Sequence, residues 1–258
     1  MKIVTWNVNS LTVRLNRVRE WLIEHQPDVL CLQELKMEAH KFPHDVFAEL
    51  GYTACVHGQK TYNGVAILSK LPAQNVQCGI PGYDDPQARV IAATIGETRI
   101  ICAYVVNGQS VGSEKFEYKL QWLKHCTQFL KEEFAANENL ALLGDFNIAP
   151  ADEDVHDPAA WEGQVLCTDD ERAYFDRWLN VGLKDAFRLF EQPPKSFSWW
   201  DYRNLGFPKN LGLRIDHILL SAPLAARCNA CTIDREERKM KGDDKPSDHA
   251  PVIAVLTA

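Results

Sequence analysis

The chain has 258 residues, 46% hydrophobic and 24% charged, with a formal net charge of −7. This is globular composition for one large domain or two small ones. It excludes a helical membrane protein, since no stretch reaches the roughly 18 apolar residues of a span, and it counts against a basic non-specific nucleic-acid binder, whose affinity comes from neutralising phosphates.

The first segment, "MKIVTWNVNS", enters a strand directly and lacks the apolar core and cleavage site of a signal peptide, so a cytoplasmic protein is expected. Strand-like runs follow at 2–8, 28–34, 64–69, 90–95, 99–106, 139–146, 214–221 and 251–257. Residues 11–25 place Leu15, Val18, Trp21 and Leu22 on one helical stripe, and residues 114–134 do so with Phe116, Leu120, Leu123, Leu130 and Phe134. A third helix begins near Thr168, which with Glu171 forms a capping box ahead of Phe175, Trp178 and Leu179. "GET" between the runs at 90–95 and 99–106 predicts a hairpin. Helices separate some strands but not others, so the expected class is α+β: two sheets packed face to face, helices outside, in a single domain over 1–258. Of the eight cysteines, Cys31, Cys102 and Cys126 sit in apolar segments, and the pair Cys228–Cys231 has no second pair or histidine at zinc spacing.

Strand after strand ends in polar residues. "LGDFNIAP" carries Asp145 and Asn147, which strand alternation would aim the same way. "TWNVN" offers Asn7 and Asn9; "LQELK" offers Gln33, Glu34 and Lys36; "AYVVNG" offers Tyr104 and Asn107. "GLRIDHILL" places Asp216 in an apolar run, and "PSDHAP" puts Asp248 and His249 before the last strand. Each alone has a structural explanation: Asx turns for Asp145 and the asparagines, a solvated end for Glu34, half-buried core for Tyr104, an ion pair with Arg214 or His217 for Asp216. Together they compose an acidic, oxygen-rich site whose donors favour Mg²⁺ or Mn²⁺ over zinc.

"TWNVNSL", "LQELK", "YNGVAILSK", "YVVNG", "GDFNIAP", "FSWWDYR", "GLRIDHILLS" and "PSDHAP" occur in this order. Over about residues 2 to 256 the chain resembles the exonuclease III family of the endonuclease/exonuclease/phosphatase superfamily. The resemblance implies a four-layer α/β sandwich with two central mixed sheets, and Mg²⁺-dependent cleavage of phosphate esters in duplex DNA, Mn²⁺ being able to substitute. It implies that Glu34 binds the metal, with Asn7 and Asp248 completing or supporting its shell. Asp145 would orient or deprotonate water, Asn147 and Asn107 would hold the phosphate, Tyr104 would sit near the phosphate or leaving oxygens, and His249 would contact the scissile phosphate, oriented by Asp216.

For DNA contact, aromatic faces stack on bases or sugars and cations reach phosphates. Trp199, Trp200, Tyr202, Arg203, Lys209 and Leu213 supply such groups in one loop region, Trp200 fitting a core position as well. By resemblance, Trp199 and Leu213 line the pocket for an extrahelical nucleotide. Arg89, Lys115 and Lys119 are further phosphate contacts, Lys119 equally fitting a solvated helix face. At the pocket position where abasic-site endonucleases of this family carry Gly or Ser, this chain has Leu166, followed by Cys167. The expected activity is therefore a DNA repair nuclease that trims 3′ nucleotides and clears 3′-phosphates, with abasic-site incision in doubt. Full abasic-site endonuclease activity, and phosphatase action on non-nucleic-acid phosphoesters, are the alternatives. Expected partners are duplexes with nicks, 3′-blocked ends or abasic sites, bound by a monomer with no membrane.

Overall fold

The computed structural model describes residues 1–257. Its strands are β1 (Lys2–Asn7), β2 (Val29–Gln33), β3 (Thr53–His57), β4 (Val65–Ser69), β5 (Ala73–Cys78), β6 (Val90–Ile95), β7 (Thr98–Tyr104), β8 (Leu140–Asp145), β9 (Lys184–Asp185), β10 (Trp199–Trp200), β11 (Gly212–Leu213), β12 (Asp216–Leu220), β13 (Cys228–Ile233) and β14 (Val252–Leu256). The helices are α1 (Leu11–His25), α2 (His44–Ala48), α3 (Glu114–Ala136), α4 (Pro158–Trp161), α5 (Asp169–Val181) and α6 (Ala222–Arg227). One six-stranded sheet runs β13-β14-β1-β2-β4-β3, a second runs β5-β6-β7-β8-β12-β9, and β10 pairs with β11. The hairpin β6–β7 closes at Ile95 opposite Thr98, and α5 starts at the Thr168–Glu171 capping box.

Period-two alternation sorts each sheet into an inner and an outer face. Ile3, Val29, Cys31, Ile100, Cys102, Ala141, Leu143 and Ile218 meet in one cluster between the sheets. Val4, Trp6, Leu30 and Leu32 face the other way and pack on Val18, Trp21 and Leu22 of α1. Ile101 and Leu142 pack on Trp122, Leu123 and Leu130 of α3 and on Phe175 and Trp178 of α5. The result is four layers: α1, sheet, sheet, and α3 with α5.

Strands β3, β5, β9, β10, β11 and β13 fall outside the expected set. β9, β10 and β11 are only two residues each, while β3, β5 and β13 lie at sheet edges with residues largely half-buried or exposed, so they lack the apolar run that marks a central strand. Six expected strand ends were too long: β1 stops at Asn7, β2 at Gln33, β7 at Tyr104, β8 at Asp145, β12 at Leu220 and β14 at Leu256.

Candidate active site

The inner faces explain the site. Along β1 the inward series is Ile3, Thr5, Asn7; along β2, Val29, Cys31, Gln33; along β7, Ile100, Cys102, Tyr104; along β8, Ala141, Leu143, Asp145. Each series is polar at its last inward position, and the earlier members are apolar except Thr5, whose hydroxyl bonds Gln33. Strand register then aligns the ends. Tyr104 lies opposite Asp145 across the parallel pair β7–β8, and Asp216 lies opposite Asp145 across the antiparallel pair β8–β12. Partners in register share a face, so all three project into the gap between the sheets at one end. Gly144 permits this approach: a Cβ there would stand 1.8 Å from the Ala103 carbonyl oxygen.

Asn7, 0% exposed, donates from Nδ2 to Glu34 Oε1 and to Asp145 Oδ2, both at 2.9 Å. The Tyr104 hydroxyl donates to Glu34 Oε1 at 2.9 Å. Lys36 Nζ lies 3.1 Å from Glu34 Oε2. His249 Nδ1 donates to Asp216 Oδ2 at 2.9 Å, which fixes Nε2 towards Asp145 Oδ2, 3.7 Å away. Ser198 Oγ supports this row by accepting the Ile215 and Asp216 N–H groups, each at 3.0 Å. Glu34, Asp145 and His249 each bring a ligand atom within 4.8 Å of the others, the close set that could hold a metal ion.

Burial pushes the Asp145 carboxyl up to about 7; the His249 charge opposes that rise, and the Asp216 carboxylate adds to it. Burial alone would lower the His249 imidazole, but the Asp216 and Asp145 carboxylates hold it up to about 10. Burial and the Glu34 carboxylate push the Tyr104 phenol well above its usual range, keeping it a donor.

Several expectations change in detail. Asn7 presents its amide NH₂ to both carboxylates, so it holds Glu34 and Asp145 in place. Asp248 lies outside the close acidic set: Oδ1 accepts from Asn9 at 3.0 Å and Oδ2 from the Trp199 indole at 3.0 Å. Alternation does not carry to Asn147, because the chain leaves β8 after Asp145 and Asn147 takes φ 48. Its N–H donates to Asp145 Oδ1 at 2.9 Å, an Asx turn, and its side chain donates to Val105 O and accepts from Asn107 Nδ2. Turn chemistry and site chemistry coexist there. Asp216 pairs with neither Arg214 nor His217; His217 points to the opposite face of β12.

Among the expected DNA contacts, Arg89, Asn107 and Lys115 line one groove of about 650 Å³ with Gln59, Tyr62 and Tyr118. Arg89 is 8% exposed, sits 4.9 Å from the Tyr104 ring centre and bonds Gln87, so it braces the groove as much as it faces it. Tyr202 is half exposed, with its hydroxyl donating to Pro246 O at 2.8 Å. Arg203 is exposed and paired with Asp201. Trp200 is a correction: it is 0% exposed, its indole donates to Asn210, and it offers DNA no face. Leu213 is likewise 0% exposed and pairs in register with Trp199. Leu166 is 4% exposed and joins Leu213, Val155, Ile215 and the partly buried Trp199 in one apolar cluster. Leu166, expected to restrict the pocket, is part of a small packed core there. Leu166 also takes φ 78, a backbone conformation that favours glycine. Lys119 is a further correction: it is fully buried, neither a phosphate contact nor a solvated face. Asn9 was named among the polar strand ends but given no role. Its Nδ2 donates to Asp248, its Oδ1 accepts from Lys36, and its N–H donates to Asn7 Oδ1.

The Endonuclease/Exonuclease/phosphatase family profile matches residues 4–249. The chain belongs to this family. The 3′-phosphatase NExo of Neisseria, solved bound to a product DNA hairpin, is similar to it with 46% identity and a TM-score of 0.97, each chain covered completely. An AP endonuclease from Archaeoglobus fulgidus is similar with 37% identity and a TM-score of 0.96, again over both whole chains. The exodeoxyribonuclease III of Haemophilus influenzae is 37% identical over 98% of this chain and 99% of its own length. Among the described residues no helix is long and apolar enough to cross a membrane.

Proposed function

We propose that this chain is an exonuclease III-like, Mg²⁺-dependent DNA repair nuclease that removes 3′-phosphates and 3′ nucleotides from nicked or recessed duplexes, as a monomeric single domain. The observation that carries the reading is the Asp216–His249–Asp145 chain facing Glu34 where the inner faces of both sheets end. The donor set fits a hard divalent cation: Glu34 would hold it beside Asp145, with Asn7 and Asp248 supporting the shell, and Mn²⁺ would serve as well. Bound there, the cation neutralises the phosphate and stabilises the departing oxygen.

The chain's own groups do the rest. Asp145 would accept a proton from the attacking water. Its oxygens are fixed by the Asn7 amide and the Asn147 N–H, so the base is held in one orientation. Asp216 holds the Nδ1 proton of His249, which leaves Nε2, beside Asp145, to contact the phosphate. Asn147 and Asn107, linked side chain to side chain, place neutral donors where charge develops.

Substrate choice follows from Leu166. A flipped abasic sugar needs an open pocket, and Leu166 packs with Leu213 and Trp199 in one buried cluster. A terminal 3′-phosphate needs less room. The similarity to a 3′-phosphatase agrees, and the similarity to an AP endonuclease names the competing outcome. The test is incubation with Mg²⁺, or with EDTA, and three labelled duplexes: a nick bearing a 3′-phosphate, a recessed 3′-hydroxyl, and an internal abasic analogue. Metal-dependent loss of 3′-phosphate and 3′ nucleotides with little internal cutting is expected. Efficient incision of the abasic duplex would sink the substrate assignment.

A further inference from the structure

Lys119 projects from α3 into the protein, where all three of its donors are taken. It donates to Asn147 O at 2.7 Å, to Asn107 O at 3.1 Å, and to Glu171. Glu171 in turn accepts the Leu166 N–H at 3.0 Å, and the Leu166 carbonyl accepts the Ala149 N–H at 2.8 Å. Gly108, next to Asn107, lies so close that a Cβ would stand 3.1 Å from Lys119 Cδ and 3.1 Å from Val165 Cγ2. One ammonium therefore joins the loop of Asn107, the loop of Asn147 and, through Glu171, the loop of Leu166. A buried ion pair seldom stabilises a fold more than an apolar pair of the same volume. Here an apolar pair would leave two loop carbonyls without the donor that sets where they lie.

We infer that Lys119 and Glu171 are positioning residues that fix the two phosphate-holding asparagines and couple them to the pocket wall carrying Leu166. The inference rests on the roles proposed above for Asn107 and Asn147. Small displacements of positioned groups cost about 10²-fold in rate, so the effect should appear in turnover and in substrate choice.

The experiment measures kcat and KM for Mg²⁺-dependent phosphate release from a nicked 3′-phosphate duplex. The double variant Lys119→Met/Glu171→Leu, which leaves no lone buried charge, is expected to lose roughly 10- to 100-fold in kcat, with KM within about threefold. Circular dichroism should show it folded. Lys119→Arg, which keeps the charge and donors, should recover part of the loss. A folded double variant with kcat within twofold of the parent overturns the inference. If the double variant does not fold, Glu171→Gln serves. It weakens the anchor on Leu166 and should raise abasic-site incision relative to 3′-phosphate release at least fivefold, and an unchanged ratio is contrary. Should the parent release no 3′-phosphate, the substrate reading fails, and the same kcat comparison is made on whichever DNA phosphoester the parent hydrolyses.

Discussion

Two buried polar clusters flank strand β12, and adjacent residues feed them. Asp216 points between the sheets, into the candidate active site. His217 points to the opposite face, where it accepts from Arg214 Nη1 at 3.1 Å and donates from Nε2 to Ile148 O at 2.9 Å. Arg214 also bonds Asp154 at 2.6 Å and Asp185 at 2.8 Å, and Arg188 reaches Asp154 as well. There, arginines balance carboxylates and the polar side chains are partnered. In the other cluster Glu34, Asp145 and Asp216 pair only with Lys36 and His249. Both clusters are buried and densely hydrogen-bonded. The difference is charge balance: the Arg214 network is complete in itself, whereas the Glu34 cluster carries surplus negative charge that a cation would neutralise. Burial and hydrogen bonding do not separate architecture from chemistry here; the unbalanced charge does.

Substitutions should break the two clusters in opposite currencies. Asp145→Asn should lower kcat for 3′-phosphate release by about 10²- to 10⁴-fold, the range of a lost general base, while urea midpoints stay near the parent value. Arg214→Leu leaves Asp154 and Asp185 short of a buried partner. It should cost about 3–5 kcal/mol of stability by denaturant titration, with kcat of the folded enzyme little changed. A large kcat loss in Arg214→Leu at full folding would erase the distinction.

Acid should also act on one side first. Burial, then the Arg214 charge, lowers His217 to about 4, below the usual 6.5. The unfolded chain therefore binds a proton between those values that the folded chain refuses. The stability linked to this group is full above pH 6.5 and declines as pH falls towards about 4, by about 3 kcal/mol in all. His249 has the opposite sign: raised to about 10, it contributes below 6.5 and loses its contribution as pH rises. His217→Gln should flatten the acid limb of a stability–pH curve and leave the alkaline limb as it was.

A smaller effect on stability, with a gain in function, is expected for Leu166→Gly. Losing the buried side chain costs about 1.5–3 kcal/mol, and relief of the φ 78 backbone offsets about 1 kcal/mol. Internal abasic-site incision should rise at least about tenfold, in the range that pocket fit commands.

Much of this was legible in the residues. The strand ends Asn7, Gln33, Tyr104 and Asp145 could be read because each ends an inward series whose earlier members are mostly apolar, and alternation leaves them no other face. Two packed sheets with helices outside followed from the number of apolar strands to bury, and the four-layer order from the family resemblance. Edge strands β3, β5 and β13 were not legible, because half-exposed strands alternate weakly. Lys119 was misread although a signal existed: it falls on the stripe of Phe116 and Leu123, the buried face of α3. The burial of Trp200 depends on packing between segments far apart in the chain, which no local pattern carries, whereas Leu166 was legible as a bulky residue at the pocket and packs against Trp199 and Leu213. The strand around Asp216 left Arg214 and His217 open as its partners, while the resemblance pointed to His249, with which Asp216 is paired.

Calorimetric titration of Mg²⁺ into the metal-free protein tests the comparison most directly, run on the parent, Glu34→Gln and Arg214→Leu. The account predicts binding by the parent and by folded Arg214→Leu, and binding weakened at least tenfold in Glu34→Gln. Equal binding by Glu34→Gln, or loss confined to Arg214→Leu, would contradict it.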